Sequence, residues 1–275
     1  MKAFWRRSRL HEGHRWTILD TLGSLVVLER RDSRGLLMRR LMDGELIQNT
    51  YDPEARRSLS AFTGALVMLA RAYAPRLRTA LCLGLGAGFV PRQLAAVGAE
   101  VVAVDNNPHM GKVASRHFDF NPDCADVVVA DGRDYLEQHE ARYDAILLDA
   151  FIGDAPPPRL ITAEAFALML RRLLPEGILV INSFGEHTAK FRAQAASIGL
   201  TLREVFPAEG IRVHASGRGN VYFVATAQPP LEVVRSPNVR DEHPSLRFEL
   251  NLVWNGLRLL DSRQGTVLAD TVTGN

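Results

Sequence analysis

Four apolar runs in this chain each end on a residue able to meet a ligand. Thr79–Leu83 runs into Gly84-Leu85-Gly86-Ala87-Gly88, Glu100–Val104 into Asp105, Asp126–Ala130 into Asp131-Gly132, and Ala145–Leu148 into Asp149. Stretches with helical spacing lie between them, at Phe89–Val97 and Pro108–His117. Near-continuous apolar strands alternating with amphipathic helices call for a largely parallel sheet covered on both faces, because a sheet with one wet face would alternate polar and apolar residues. In such open sheets ligands lie beyond the carboxyl ends of the strands, near the point where strand order reverses. The residues that follow the strands are therefore the first candidates for function.

The rest of the pattern extends this unit. Gly177–Asn182 reads as a fifth strand, and Leu200–Phe206 and Val221–Ala225 read as the strands that finish the sheet. Ala163–Leu174, Glu186–Ile198 and Leu246–Leu260 read as helices. The first fifty residues differ. Trp16–Leu19, Ser24–Glu29, Leu36–Leu41 and Glu45–Ile47 are short strand-like runs separated by Leu22-Gly23, Asp32-Ser33-Arg34-Gly35 and Asp43-Gly44, which are hairpin signals. They predict a small antiparallel sheet over 1–51, ahead of a larger unit over 52–275. From Pro53 to Tyr73 the period becomes helical, with Leu59, Phe62, Leu66, Leu69 and Tyr73 on one face and Asp52 as the expected N-cap.

Composition narrows the function. Of 275 residues 47% are hydrophobic and 23% charged, and the net charge is only +2, so no strong pull towards nucleic acid is expected and no basic stripe with interleaved aromatics is found. The two cysteines, Cys82 and Cys124, make neither a disulfide framework nor a metal-ligand pattern, and both read as reduced thiols within apolar strands. The eight histidines form no metal-like spacing, so no metal is expected. No run approaches the roughly 18 apolar residues of a membrane span. The basic start, with Arg6, Arg7, Arg9 and Arg15, lacks the apolar middle of a signal peptide, and the expected address is the cytoplasm.

At the strand ends, glycines let the backbone and a ligand approach closely with N–H groups facing the ligand. A carboxylate about 20 residues on, Asp105, can accept both hydroxyls of a ribose. Asp131-Gly132 is placed to meet an adenine amino group. Asp105 and Asp149 also have a plain alternative, as caps on the segments that follow them. The spacing G-x-G-x-G differs from the dinucleotide G-x-G-x-x-G, and no second dinucleotide half is evident, which favours an S-adenosyl compound over NAD.

With these residues in view, the chain from about Trp16 to Ala225 resembles the spermidine synthase (polyamine aminopropyltransferase) family. The resemblance is carried by Met42-Asp43-Gly44-Glu45-Leu46-Ile47-Gln48, by the Gly84–Gly88 loop, by Val104-Asp105 and Ala130-Asp131-Gly132, and by Tyr143–Asp149. It implies a class I methyltransferase-like Rossmann sheet behind the small N-terminal β domain. It also implies a cytoplasmic homodimer that uses decarboxylated S-adenosylmethionine, or S-adenosylmethionine, as co-substrate with no tightly bound cofactor. The nucleoside would be held by Gln48, Gly84, Gly86, Gly88, Asp105, Asn106, Asp131 and Gly132, and Asp149 would be the catalytic aspartate. Asp149 and Asp154 would bind a small polyamine-like amine. The sequence departs from the family on the acceptor side. Ala87 stands where the family has an aspartate, two extra residues lie in the gate before Asp154, and Arg56, Arg57 and Ser58 lie near the place of an expected Tyr-His pair.

The implied reaction moves an aminopropyl group to an amine and releases methylthioadenosine. A free alkyl-ammonium titrates near ~10, so a carboxylate within reach must orient the amine and take its proton. Phe151–Pro158 reads either as a lid or as a stiff connection. His187, His214 and Tyr222 have no assigned role. Two other functions fit the same pocket: a methyltransferase using intact S-adenosylmethionine, which Ala87 favours by removing a repulsion to its carboxylate, and a non-catalytic nucleoside-binding homologue.

Overall fold

The computed structural model describes residues 16–185, 188–217, 219–240, 242–258 and 262–271. His187, the arginines before Trp16 and the expected helical end at 259–260 lie outside these. The chain opens with a five-stranded antiparallel sheet in sequential order: β1 (Thr17–Leu22), β2 (Leu25–Arg31), β3 (Leu37–Asp43), β4 (Leu46–Asp52) and β5 (Arg57–Ser58). The β3–β4 turn brings Asp43 opposite Leu46 across a two-residue loop. Its Gly44 has φ +57°, the left-handed backbone that such a turn requires.

The helix expected from Pro53 begins later, as α1 (Ala61–Tyr73). Asp52 does cap backbone donors, but those of a turn: its Oδ1 accepts the N–H groups of Glu54 and Ala55, both at 2.9 Å, and closes the β4–β5 hairpin. An Asx turn and a helix start present the same Asp-Pro signal, because proline's fixed φ suits both. The first sheet thus runs on to Ser58, past residue 51.

The second sheet follows strand by helix: β6 (Thr79–Leu83), α2 (Phe89–Ala96), β7 (Glu100–Asp105), α3 (Met110–His117), β8 (Asp126–Val129), α4 (Gly132–Gln138), β9 (Tyr143–Leu148), α5 (Ala163–Arg172), β10 (Leu173–Phe184), α6 (Ala189–Arg203), β11 (Ile211–Ala215), β12 (Asn220–Thr226) and α7 (Arg247–Asn255). Spatial order is β11-β12-β10-β9-β6-β7-β8. The five strands from β10 to β8 are parallel, while β12 runs antiparallel to both β10 and β11. This is the methyltransferase-like Rossmann arrangement expected from the sequence. Strand order reverses between β6 and β9, and that fixes where a ligand cleft opens.

Alternation along β6 divides the core. Cys82 packs in the cluster that contains Leu66, Phe89 and Phe118, whereas Leu81 and Leu83 point into the one that contains Phe166 and Ile198. Leu25, Val27, Leu41 and Tyr51 of the N-terminal sheet join the first cluster. Their burial anchors the β3–β4 hairpin at the mouth of the second sheet.

Some assignments differ from the sequence reading. Leu200–Phe206 is not a strand. It completes α6 and the turn after it, with the Phe206 N–H bonded to the Leu202 carbonyl at 2.8 Å. Ile198, Leu202 and Phe206 are all buried and four apart, so the helical period prevails over the apparent Leu200/Leu202 alternation. The strand is Ile211–Ala215 instead. Cys124 ends a short 3₁₀ turn, Pro122–Cys124, rather than lying in a strand, and it is only half-buried.

Candidate active site

Three glycines after β6 answer three different demands. Gly84 has φ +109°, and a Cβ there would stand 2.5 Å from the Asp149 carbonyl oxygen, so only glycine lets the ends of β6 and β9 meet. Gly86 has φ +51° with open space around it, and it faces the cleft. Gly88, at φ +78°, has a different neighbour: a Cβ would fall 2.5 Å from the Phe120 ring. It serves the packing of α2 and is not part of the cleft wall, so its expected ligand contact is replaced by a structural one.

The cleft over the β6/β9 switch point has a volume of about 680 Å³ and gathers most of the expected residues. Gly84, Gly86, Asp105, Asn106, Asp131 and Gly132 line it, and Gln48 reaches it from β4. Asp105 is held from behind, where its carboxylate accepts the Leu85 N–H at 3.0 Å and the Asn107 N–H at 2.9 Å. Burial pushes this carboxyl above the usual range. The N–H groups of Leu85, Asn107 and Gly86 pull it back, and Asp43 across the cleft pushes it further up. Asp131 caps α4 through Oδ1, which accepts from the Arg133 and Asp134 N–H groups and meets Arg159 at 3.1 Å. Capping and ligand contact are compatible here, since all three contacts fall on one oxygen.

Asp149 stands at the tip of β9. Its backbone N–H continues the sheet to Leu83 O at 2.9 Å, which fixes the carboxylate beside the glycine turn. Burial pushes Asp149 up to about 7, opposed only by a hydrogen bond from Asn182 Nδ2 at 2.8 Å. Asn182 is oriented in turn by Asn220, whose Nδ2 donates to its Oδ1 at 2.8 Å. The relay therefore runs from β12 through β10 to the tip of β9.

A second cleft, of about 630 Å³, adjoins the first. Gln48, Gly86, Asp149 and Phe151 line both. Its own walls carry Asn49, Asn182 and Asn220 and the rings of Phe62, Phe89 and Phe184. Phe151 packs on Phe184 with centroids 5.2 Å apart and roofs the junction. The next residues form a tight turn in which Ile152 and Ala155 exchange backbone hydrogen bonds around Gly153, at φ +62°. Asp154 sits at the tip of that turn and lines neither cleft. It faces solvent and pairs with Lys190 at 2.8 Å. The expected second substrate carboxylate is thus displaced, because the two extra residues in this loop fold outward as the turn.

Among the described residues no group of three or more His, Cys, Asp or Glu side chains is placed to hold a metal ion. His214 is buried away from both clefts, hydrogen-bonded to the Tyr73 hydroxyl at 2.8 Å and stacked on Trp254, and burial lowers its basicity. Tyr222 is likewise a core residue.

Comparison with known proteins agrees with this geometry. Residues 80–177 match the family described as "Methyltransferase domain". A polyamine aminopropyltransferase from Vibrio vulnificus is 32% identical over 190 residues, which cover 66% of this chain and 61% of that protein. Another from Chromobacterium violaceum is 35% identical over 156 residues, 54% of this chain and 57% of that one. The chain is thus similar to polyamine aminopropyltransferases over 54–66% of its own length. It spans less than two thirds of the length of these two relatives. A crystal structure described as a probable spermidine synthase from Corynebacterium glutamicum shares the fold, with a TM-score of 0.66 at 22% identity over 77% of this chain and 81% of that one.

Several cleft residues carry no signal in the sequence reading. Asp43 lay in the quoted hairpin motif but was given no role. Asn182 and Asn220 sit on β10 and β12, and only the pairing of β10 with β9 and of β12 with β10 brings them to Asp149. The phenylalanines of the second cleft have no ligand role in the sequence reading, since an aromatic at helical or strand spacing carries no sign of which cavity it faces.

Proposed function

We propose that the protein is an aminopropyltransferase that moves the aminopropyl group of decarboxylated S-adenosylmethionine to an amine and releases methylthioadenosine. The observation that carries this reading is a partly desolvated carboxylate, Asp149, in the wall shared by two clefts. One cleft presents strand-tip groups suited to an adenosyl nucleoside and the other accommodates an acceptor. In this scheme Asp105 accepts the ribose hydroxyls, Asp131 meets the adenine, and Gly84, Gly86, Asn106, Gly132 and Gln48 shape the nucleoside wall.

The chemistry is displacement at carbon. The amine nitrogen attacks the methylene next to the sulfonium, a C–N bond forms as the C–S bond breaks, and the sulfur keeps the electron pair as methylthioadenosine leaves. The proton lost by the amine passes to Asp149 and then to solvent. Sulfonium is already a good leaving group, so the protein contributes mainly position and one proton transfer. A carboxylate raised towards 7 is a better base than an ordinary one and still ionises near neutrality.

Homodimerisation and a cytoplasmic address complete the proposal. Ile18 and Leu19 of β1 lie exposed on the N-terminal sheet, a surface on which a second copy could seat. No described helix is long and apolar enough to cross a membrane.

One observation favours a second reading. Ala87, not an acidic residue, lines the second cleft beside the glycine turn, so that position adds no charge to repel the carboxylate of intact S-adenosylmethionine. Methyl transfer follows if the intact compound is the donor. The test is to incubate the protein with each nucleoside and a panel of amines and to identify the products. Methylthioadenosine from the decarboxylated donor is expected. S-adenosylhomocysteine from the intact donor, with no methylthioadenosine, would replace the main reading with the second.

A further inference from the structure

We propose that the second cleft takes a monoamine with an uncharged, largely apolar body rather than an α,ω-diamine. The proposal rests on the reading above for the direction of the chemistry, but it concerns what the cleft holds. Among the described residues that line it, Asp149 is the sole ionisable side chain. Its Oδ1 is engaged by Asn182, which leaves Oδ2 for the attacking nitrogen. Asp154 cannot serve as a second anion from where it stands, because it lies outside the cleft and is neutralised by Lys190. Asp43, Asp105 and Asp131 line the nucleoside cleft only.

Among the described lining residues, charge balance then stands against a dication. The donor itself brings a sulfonium and a terminal ammonium, and Asp149 is one negative charge. A diamine would add a further ammonium at the far end of a cavity whose walls are amides and phenyl rings. An ammonium taken out of water without an anion loses hydration that neutral partners only partly replace. Phe rings attract cations weakly, and here Phe151 and Phe184 are turned to each other, with planes inclined at 50°. An apolar body gains where a second charge loses, since Phe62, Phe89, Phe151 and Phe184 can cover it and remove its surface from water. The amides of Gln48 and Asn49 leave room for one neutral polar group on that body.

Calorimetry on the protein saturated with methylthioadenosine separates acceptor choice from turnover. The probes are 2-phenylethylamine, n-hexylamine and 1,4-diaminobutane. At least one monoamine is expected to bind about tenfold or more tighter than the diamine. Equal or tighter binding of the diamine overturns the inference, as does the failure of every amine to bind. If a monoamine binds as expected but no amine releases methylthioadenosine from the donor, the proposed reaction fails while the acceptor class stands. Asn49→Asp adds an isosteric carboxylate to the same wall. It is expected to move the diamine-to-monoamine affinity ratio about tenfold towards the diamine. A folded Asn49→Asp protein with an unchanged ratio removes the charge argument, and if the variant does not fold, the parent's binding ratio decides alone.

Discussion

The two adjoining clefts are built in opposite ways. In the first, the polar groups are strand tips: Asp105, Asp131 and the glycine turn stand where the sheet itself ends, braced by backbone N–H groups. In the second, the wall is contributed by β4, α1, α2, β9, β10 and β12, and its polar groups are held by other side chains. A site made of strand ends depends on the fold alone, and it tolerates sequence drift as long as the sheet persists. A site made of side chains from six elements changes character with single substitutions. Ala87 and the outward turn at Asp154 are two such changes, and both fall on the acceptor side. Asp149 belongs to both clefts, so variants there test the comparison hardest.

Asp149→Asn is expected to lower kcat by roughly 10²–10⁴-fold, the range for loss of a general base, while nucleoside affinity stays within a few-fold of the parent. Equal loss of nucleoside binding would mean that Asp149 acts as a nucleoside ligand and that the two clefts are not functionally separate. Single-turnover rates together with calorimetry on methylthioadenosine make the distinction.

The same group sets a pH dependence. With its carboxyl raised from 3.8 to about 7, Asp149 must lose a proton before it can accept one from a bound ammonium. kcat/KM for the amine should therefore fall about tenfold per pH unit below about 7, and this limb should vanish from the residual activity of Asp149→Asn. Stability follows the opposite sign. Between 3.8 and about 7 the folded state binds the proton more tightly than the unfolded state, so this residue's contribution declines as pH rises through that window. Asp149→Asn should be more stable than the parent at pH 8, by on the order of 2–4 kcal/mol, and match it near pH 3.5. A melting difference that does not change with pH would show that the carboxyl is not desolvated.

Asp105→Asn probes the first cleft alone. Loss of the charge-assisted bonds to a ribose should weaken nucleoside binding about 10–100-fold. Acceptor binding to whatever complex forms should stay unchanged. If amine affinity drops in parallel, the clefts are coupled more tightly than their separate walls imply.

The contrast also explains what could be read in advance. Strand tips are legible because an apolar run that ends on Gly or Asp fixes both position and direction, and Asp105, Asp131 and Asp149 all arrive at one cavity for that reason. Gly88 shows the limit of that logic: it shares the motif with Gly86, yet Phe120, distant in sequence, decides that it packs rather than binds. The Asn220–Asn182–Asp149 relay carries no local signal, since it exists only through the parallel β9–β10 and antiparallel β10–β12 registers. Asp52-Pro53 was read with the right chemistry and the wrong consequence, because a hairpin and a helix start satisfy the same two N–H groups.

The smallest expected effect concerns Asp154. Its sequence position beside three prolines fits a substrate carboxylate, and a site that held the far end of a diamine would need it. In the structure the carboxylate is turned outward and paired with Lys190 in solvent, where screening leaves an exposed pair little effect on stability. Asp154→Asn should therefore change kcat/KM for any amine by less than about twofold and leave the melting temperature nearly unmoved. An order-of-magnitude loss confined to 1,4-diaminobutane would show that the Ile152–Ala155 turn folds inward during turnover and delivers its carboxylate to the second cleft. That result would make the acceptor side resemble the nucleoside side after all, with a charged group supplied by the loop that follows a strand tip.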